Sequence, residues 1–302
     1  MTVTVPATSA NLGPGFDCLG LALALRDEVT VAVAGSGLHV EAVGEGAGAL
    51  PVDERHLVVR AARAAFDAAG AQPPGLRLRC RAVVPHGRGL GSSATAIVAG
   101  LVAARALVER SEPGGGSALD DTRLLRLASA IEGHPDNVAA ALLGGLTVAW
   151  TESDGPRAVR LAPVVSAVAL VAPLPLPTAV ARRLLPDQVS HRDAAANSGR
   201  AGLLVAALTA RPDLLLPATE DRLHQQHREP AMPDTLRVVR LLRGSGHAAV
   251  VSGAGPSVLV LCDPRRAGAP PRSEVVDAVA AAAPGWSALP LVADLDGARV
   301  LT

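Results

Sequence analysis

The sequence predicts an α+β fold, and three observations carry that reading. Strand-like segments at Thr2–Pro6, Leu19–Leu25, Val29–Val33, Leu38–Val43 and Leu76–Val83 mix with helical patterns without the regular strand–helix alternation of a parallel α/β sheet. Between Leu76 and Val108 a strand, a glycine-rich loop and a helix follow one another, the helix marked by Ile97, Leu101, Ala104 and Val108 on one face. Apolar residues make up 49% of the 302, yet Phe16, Phe66, Trp150 and Trp286 are the only aromatic ones, so the core is built from Leu, Val and Ala.

The remaining elements follow in order. Helices are expected at Leu57–Ala69, at Leu119–Ile131 behind the capping cluster Asp120, Asp121 and Thr122, and from about Pro135. Ser111–Ser117 reads as a flexible surface loop. Leu146–Trp150 is a strand, and the turn Thr151–Pro156 places a boundary between expected domains 1–156 and 157–302. A strand at Ala167–Ala172 ends in the prolines of Pro173–Pro177, which preset a helix start at Thr178. Helices at Asp193–Ala210, Pro212–Thr219 and Thr235–Arg243 lead into a strand–turn–strand unit, His247–Cys262. A helix at Glu274–Ala283 and strands near Leu289 and Val300 complete the chain.

Composition excludes several function classes. The formal charge is zero and the arginines are scattered, which argues against a nucleic-acid face. No apolar run reads as a membrane span, and Met1 leads directly into a strand with no leader signature, so a cytoplasmic protein is expected. Cys18, Cys80 and Cys262 are an odd, dispersed set and read as free thiols rather than disulfides or a metal set.

The loop Pro85-His86-Gly87-Arg88-Gly89-Leu90-Gly91-Ser92-Ser93-Ala94-Thr95 reads as a phosphate cradle. Its three glycines permit positive φ and bring bare N–H groups close to a ligand, and the following helix offers its N-terminus to an anion. A tight connection with a serine cap would use the same residues. The chain has no lysine at all, which excludes a Walker-type loop and a protein kinase. Phosphate here must be held by backbone, hydroxyls, arginine and metal.

Other polar clusters stand out. Asn11 and Asp17 lie in the small-residue loop Ala7–Asp17 and serve equally well as turn-formers. Glu132-Gly133-His134-Pro135-Asp136-Asn137 packs two carboxylates, an imidazole and an amide into six positions, more than helix capping needs. His224 and His227 lack the glutamate and third ligand of a metal site.

Pro85-x-x-x-Gly-Leu-Gly-Ser-Ser-Ala94 resembles the ATP-binding motif of the GHMP small-molecule kinases. Pro6-Ala-Thr-Ser-Ala-Asn-Leu-Gly-Pro-Gly-Phe-Asp17 resembles that family's N-terminal motif, and Ser252-Gly-Ala-Gly-Pro-Ser257 its third. The segments Glu132–Gly145 and Thr178-x-x-x-Arg182-x-x-Leu-Pro186 are similar to the members that phosphorylate L-homoserine. The resemblance covers nearly the whole chain. It implies a GHMP kinase fold, with an N-terminal domain like domain 2 of ribosomal protein S5 and a ferredoxin-like C-terminal domain, and a homodimer.

It further implies ATP with Mg²⁺, the nucleotide on Pro85–Thr95 with His56 where the family commonly places an adenine-facing Asn, and the metal on Glu132 with Ser92 or Ser93. Oxygen donors suit this hard cation. The resemblance puts Asp17 on the substrate ammonium and Arg182 and Arg228 on its carboxylate, with Thr178 and Gly253 lining the cleft. Asn11, His134 and Asn137 would orient the hydroxyl. Asp136 is a further candidate in catalysis, and spacing leaves open whether it or Asn137 points inward. Two arginines on one carboxylate make bidentate, charge-assisted sense. Another small alcohol as acceptor, a diphosphate decarboxylase, and a silent nucleotide-binding regulator are the alternatives. The N-terminal loop lacks basic residues for a diphosphate, and Glu132 and the serines that a silent regulator would lose are all present.

Overall fold

A computed structural model describes residues 1–111, 118–264, 283 and 285–301. The expected loop at 111–117 and the helix at 274–283 lie outside the described residues, apart from their end residues Ser111 and Ala283. The first sheet is built around two long strands, β1 (Thr2–Asn11) and β2 (Gly15–Ala34). Where the sequence suggests a loop from Ala7 to Asp17, β1 runs on through Asn11 and the turn itself is only Leu12–Pro14. The small residues Ala7–Ala10 are needed because that stretch is buried on both sides. The two strands expected at 19–25 and 29–33 are one strand. Arg26 and Asp27, which look like a break, find partners instead: Asp27 accepts from the N–H groups of Val83 and Val84, and Arg26 bonds Thr4 and Asp294.

β3 (Gly37–Gly44), α1 (Leu57–Ala69) and β4 (Gly75–Ala82) form one parallel βαβ unit. Helix α2 (Ser92–Ser111) follows the cradle, then α3 (Asp121–Glu132), α4 (Asp136–Leu143) and β5 (Leu146–Glu152). Asp120 caps α3 by accepting from the Arg123 N–H. The turn after β5 is a hairpin into β6 (Gly155–Leu161), a strand whose arginines and exposure hide it from pattern reading. Helix α2 is long and apolar enough to cross a membrane by length and composition, and 61% of its most apolar window is buried inside the protein. It is the central helix of a Leu/Val/Ala core against α1, α3, α4 and the sheet.

The second sheet contains β7 (Ser166–Val171), β8 (Ala248–Val251), β9 (Val258–Cys262) and β10 (Ser287–Val292), ordered β10-β7-β9-β8 and antiparallel throughout. That is order 4-1-3-2 in chain sequence, the ferredoxin-like arrangement. Between β7 and β8 lie α5 (Thr178–Arg182), α6 (His191–Thr209), α7 (Leu215–Ala218) and α8 (Pro233–Gly244). Alternate residues serve two cores. Ala167, Ala169, Val250 and Leu259 face a cluster shared with Leu19, Leu21 and Leu23 of β2. Val168, Leu170, Val251 and Val260 face α8. Pairing crosses the expected boundary at 156, since β6 stays in the first sheet and the last strand, β11 (Arg299–Leu301), returns to pair with β1.

Candidate active site

One cleft of about 190 Å³ gathers Asn11, Gly87, Gly89, Gly91, Ser92, Ser93, Glu132, His134, Asp136, Asn137, Thr178, Arg182, Arg228 and Gly253. These residues come from six separated stretches of chain, and hydrogen bonds tie several of them together.

The cradle is shaped by its glycines. Gly87, Gly89 and Gly91 all have φ between 65° and 74°. A Cβ on Gly89 would lie 2.2 Å from the Ser252 carbonyl oxygen, and one on Gly91 1.9 Å from Thr8 Oγ1, so both walls press against the loop. The Thr8 N–H donates to the Leu90 carbonyl at 3.1 Å, and Ser252 Oγ donates to the Gly89 carbonyl at 2.6 Å. Pro85, Leu90, Ala94 and Thr95 are buried and support the loop from beneath. Arg88 is spent on the carbonyls of His86, Ala172 and Pro173, which anchors the loop to the end of β7. The groups this leaves that could meet an anion are backbone N–H groups and the α2 N-terminus with Ser92 and Ser93.

Ser93 Oγ donates to Glu132 Oε1 at 2.6 Å across the gap between α2 and the end of α3. Burial pushes the Glu132 carboxyl up from its ordinary value, against the Ser93 bond and the nearby His134 charge. A desolvated carboxylate paired with a hydroxyl at the mouth of a phosphate cradle is a donor set that fits a hard cation.

Helix α4 brings its first residues to the middle of the cleft. Asp136 is 1% exposed and its Oδ1 contacts both His134 Nδ1 and the Asn137 N–H at 2.7 Å. Burial pulls the His134 imidazole down, but the bond to Asp136 and the charges of Asp136 and Glu132 outweigh it and hold the group above its ordinary value. Asn137 Oδ1 accepts from Thr8 Oγ1 at 2.8 Å, which leaves the amide N–H groups as the donors its side chain can offer a ligand.

At the far end the first turn is held in an unusual backbone shape, with Asn11, Leu12 and Asp17 at φ of 67°, 50° and 52°. Asn11 pins it, accepting from the Asp17 N–H at 3.0 Å and donating to the Gly253 carbonyl at 2.8 Å. Asp17 then meets Arg182 in a two-point pair, 2.6 and 3.0 Å. Arg228 is 1% exposed, its Nε has no partner, and it has no carboxylate within ion-pair distance among the described residues. Burial first, then Arg182, pulls its guanidinium down to about 10.

His56 lies behind the cradle in a separate narrow cavity with His86, Cys80, Thr95 and Ser92, which also lines the main cleft. Both ring nitrogens of His56 and Nδ1 of His86 are buried without a partner among the described residues. Four participants escape sequence reading: Thr8, Ser252, Phe16 and His224. Phe16 stacks on His224 at 5.2 Å, and His224 is fully buried while His227 is exposed. The one signal for His224 is its position four residues before Arg228.

A phosphate-shaped loop at one end of the cleft and an array of fixed charges at the other is the arrangement of a small-molecule kinase. Residues 56–145 match the family model described as the GHMP kinases N terminal domain. The chain is 57% identical to homoserine kinase of Streptomyces coelicolor over 99% of its own length and 94% of the relative's, and 51% identical to that of Leifsonia xyli over 99% and 91%. A crystal structure of homoserine kinase from Cytophaga hutchinsonii superposes with a TM-score of 0.85 at 26% identity, covering 100% of this chain and 97% of the other. The chain belongs to the homoserine kinase family, within the GHMP kinases.

Proposed function

We propose that the protein transfers the γ-phosphoryl group of ATP to the side-chain hydroxyl of L-homoserine, giving O-phospho-L-homoserine on the route to threonine. The observation that carries the reading is the charge count at the far end of the cleft. Two guanidinium groups face one carboxylate, so Arg228 remains a buried cation in want of an anion. An α-amino acid brings both the carboxylate that Arg228 lacks and an ammonium for Asp17. Arg182 then shares its charge between Asp17 and the ligand, and Thr178 at the start of α5 closes the side of the cleft.

Phosphoryl transfer asks for alignment and charge stabilisation rather than covalent chemistry. The cradle holds the phosphates by backbone N–H groups. Ser93, Ser92 and Glu132 would hold Mg²⁺, which would supply charge neutralisation on the phosphate oxygens. Asn137 donates its amide N–H to the acceptor hydroxyl and holds it in line. His134, whose hydrogen bond to Asp136 favours the protonated form, lies beside the cradle. Asp136 Oδ1 is already engaged twice, which supports its acting as the partner of His134 rather than as a base on the hydroxyl. The unpartnered nitrogens of His56 and His86 support a role in holding the nucleotide base.

Purified protein with Mg-ATP releases ADP with L-homoserine in preference to L-threonine, L-serine and mevalonate. Turnover on mevalonate, or on none of these alcohols despite ATP binding, overturns the assignment.

A further inference from the structure

His224 is out of reach of any substrate, yet it touches the group that most needs an explanation. Arg228 NH1 has two acceptors, the Gly253 carbonyl at 3.1 Å and His224 Nδ1 at 3.0 Å. A guanidinium does not give up its proton, so Nδ1 accepts and the imidazole carries its hydrogen on Nε2. That atom faces the carbonyl of Gly13, 2.8 Å away, in the turn between β1 and β2. One ring therefore spans from the first turn of the chain to the anion-binding arginine.

Phe16 completes the support. Its ring stacks on His224, and it lies 5.7 Å beneath the Arg228 guanidinium carbon and 5.8 Å beneath that of Arg182. In a chain with two Phe, two Trp and no Tyr, this ring serves both cations at once by cation–π attraction. The charged groups facing His224 are Asp221, Arg228 and Asp17. Asp221, 3.8 Å from Nε2, is occupied in accepting from the backbone N–H groups of Leu223, His224 and Gln225. Burial outweighs its pull and pushes the imidazole down to about 4, which keeps the ring neutral at physiological pH.

We propose that His224 is a positioning residue: as the Nε2–H tautomer wedged between Gly13 and Phe16, it aims the Arg228 guanidinium at the substrate carboxylate. The proposal rests on the amino-acid substrate of the preceding section.

Two substitutions separate positioning from simple packing. In His224→Asn the side-chain oxygen takes the place of Nδ1, whereas in His224→Gln the amide nitrogen takes the place of Nε2 and the acceptor for Arg228 is lost. With homoserine as substrate, His224→Gln raises KM roughly ten- to a hundredfold, as expected for an unsatisfied buried charge, while kcat and the KM for ATP stay within about threefold. His224→Asn recovers most of that loss. In an Arg228→Ala background His224→Gln adds no further loss. Equal effects of Asn and Gln, or additive losses in the double variant, overturn the proposal. Should the wild type be inert with homoserine, the functional reading fails instead, and ¹⁵N NMR of the His224 imidazole still decides the contact. A hydrogen on Nε2 with Nδ1 bare supports it, and a hydrogen on Nδ1 overturns it.

Discussion

Arg182, which lines the cleft, and Asp17, 165 positions away in sequence, grip each other at two points. Sequence reading gives them opposite ends of an amino acid to hold; in the folded chain they hold each other. Both side chains are about a third exposed, so the pair contributes only ~0–1 kcal/mol to stability. Arg182→Ala is therefore expected to leave the melting temperature nearly unchanged while raising the homoserine KM by about two orders of magnitude, the effect of losing a charge-assisted contact. Steady-state kinetics alongside calorimetry checks both halves.

Arg228 should show the opposite balance. Its charge is buried without an anionic partner among the described residues, and apolar replacement of buried charges is often neutral or stabilising. Arg228→Met should melt at or above the wild-type temperature without ligand, yet lose about a thousandfold in kcat/KM for homoserine, ~4 kcal/mol. A variant that unfolds would show that the guanidinium holds the core rather than the substrate.

The half-buried Glu132 carboxyl is held above its ordinary value, so protons would compete with a bound cation there at higher pH than at a surface glutamate. Mg²⁺ activation should weaken as pH falls through that raised value. In Glu132→Gln this acidic arm should vanish and the Mg²⁺ needed for half-maximal rate rise about tenfold or more. Titration of rate against Mg²⁺ at several pH values reads the effect.

His134 offers a stability test with the reverse sign. Its folded value is raised above the ordinary imidazole value of ~6.5, so the stabilisation from Asp136 is fully present below that value and is lost as pH rises through the folded one. Thermal unfolding of Asp136→Asn against wild type should show a larger deficit at pH 6 than at pH 8.5.

Gly89 tests the interlock of the cradle with the Ser252–Ser257 motif. A methyl group there meets the Ser252 carbonyl at 2.2 Å on a backbone with φ of 74°. Gly89→Ala should cost ~2–4 kcal/mol and raise the KM for ATP more than that for homoserine.

Sequence alone determined the family, the α+β class, the helix bounds of α1 and the cradle, because each is a local pattern. Glycines that need positive φ, an apolar face at helical spacing and short motifs keep their signal within a dozen residues. The arrangement of the site was decided by tertiary structure. Asn11 meets Gly253 across 242 positions, Thr8 meets Asn137 across 129, and His224 meets Gly13 across 211. Such bonds leave no period or spacing in the chain, since their energy depends on two strands and a turn being folded against each other first. For the same reason β1 outran its expected end and β6 and the return of β11 to β1 stayed hidden: pairing partners, more than propensity, make a strand.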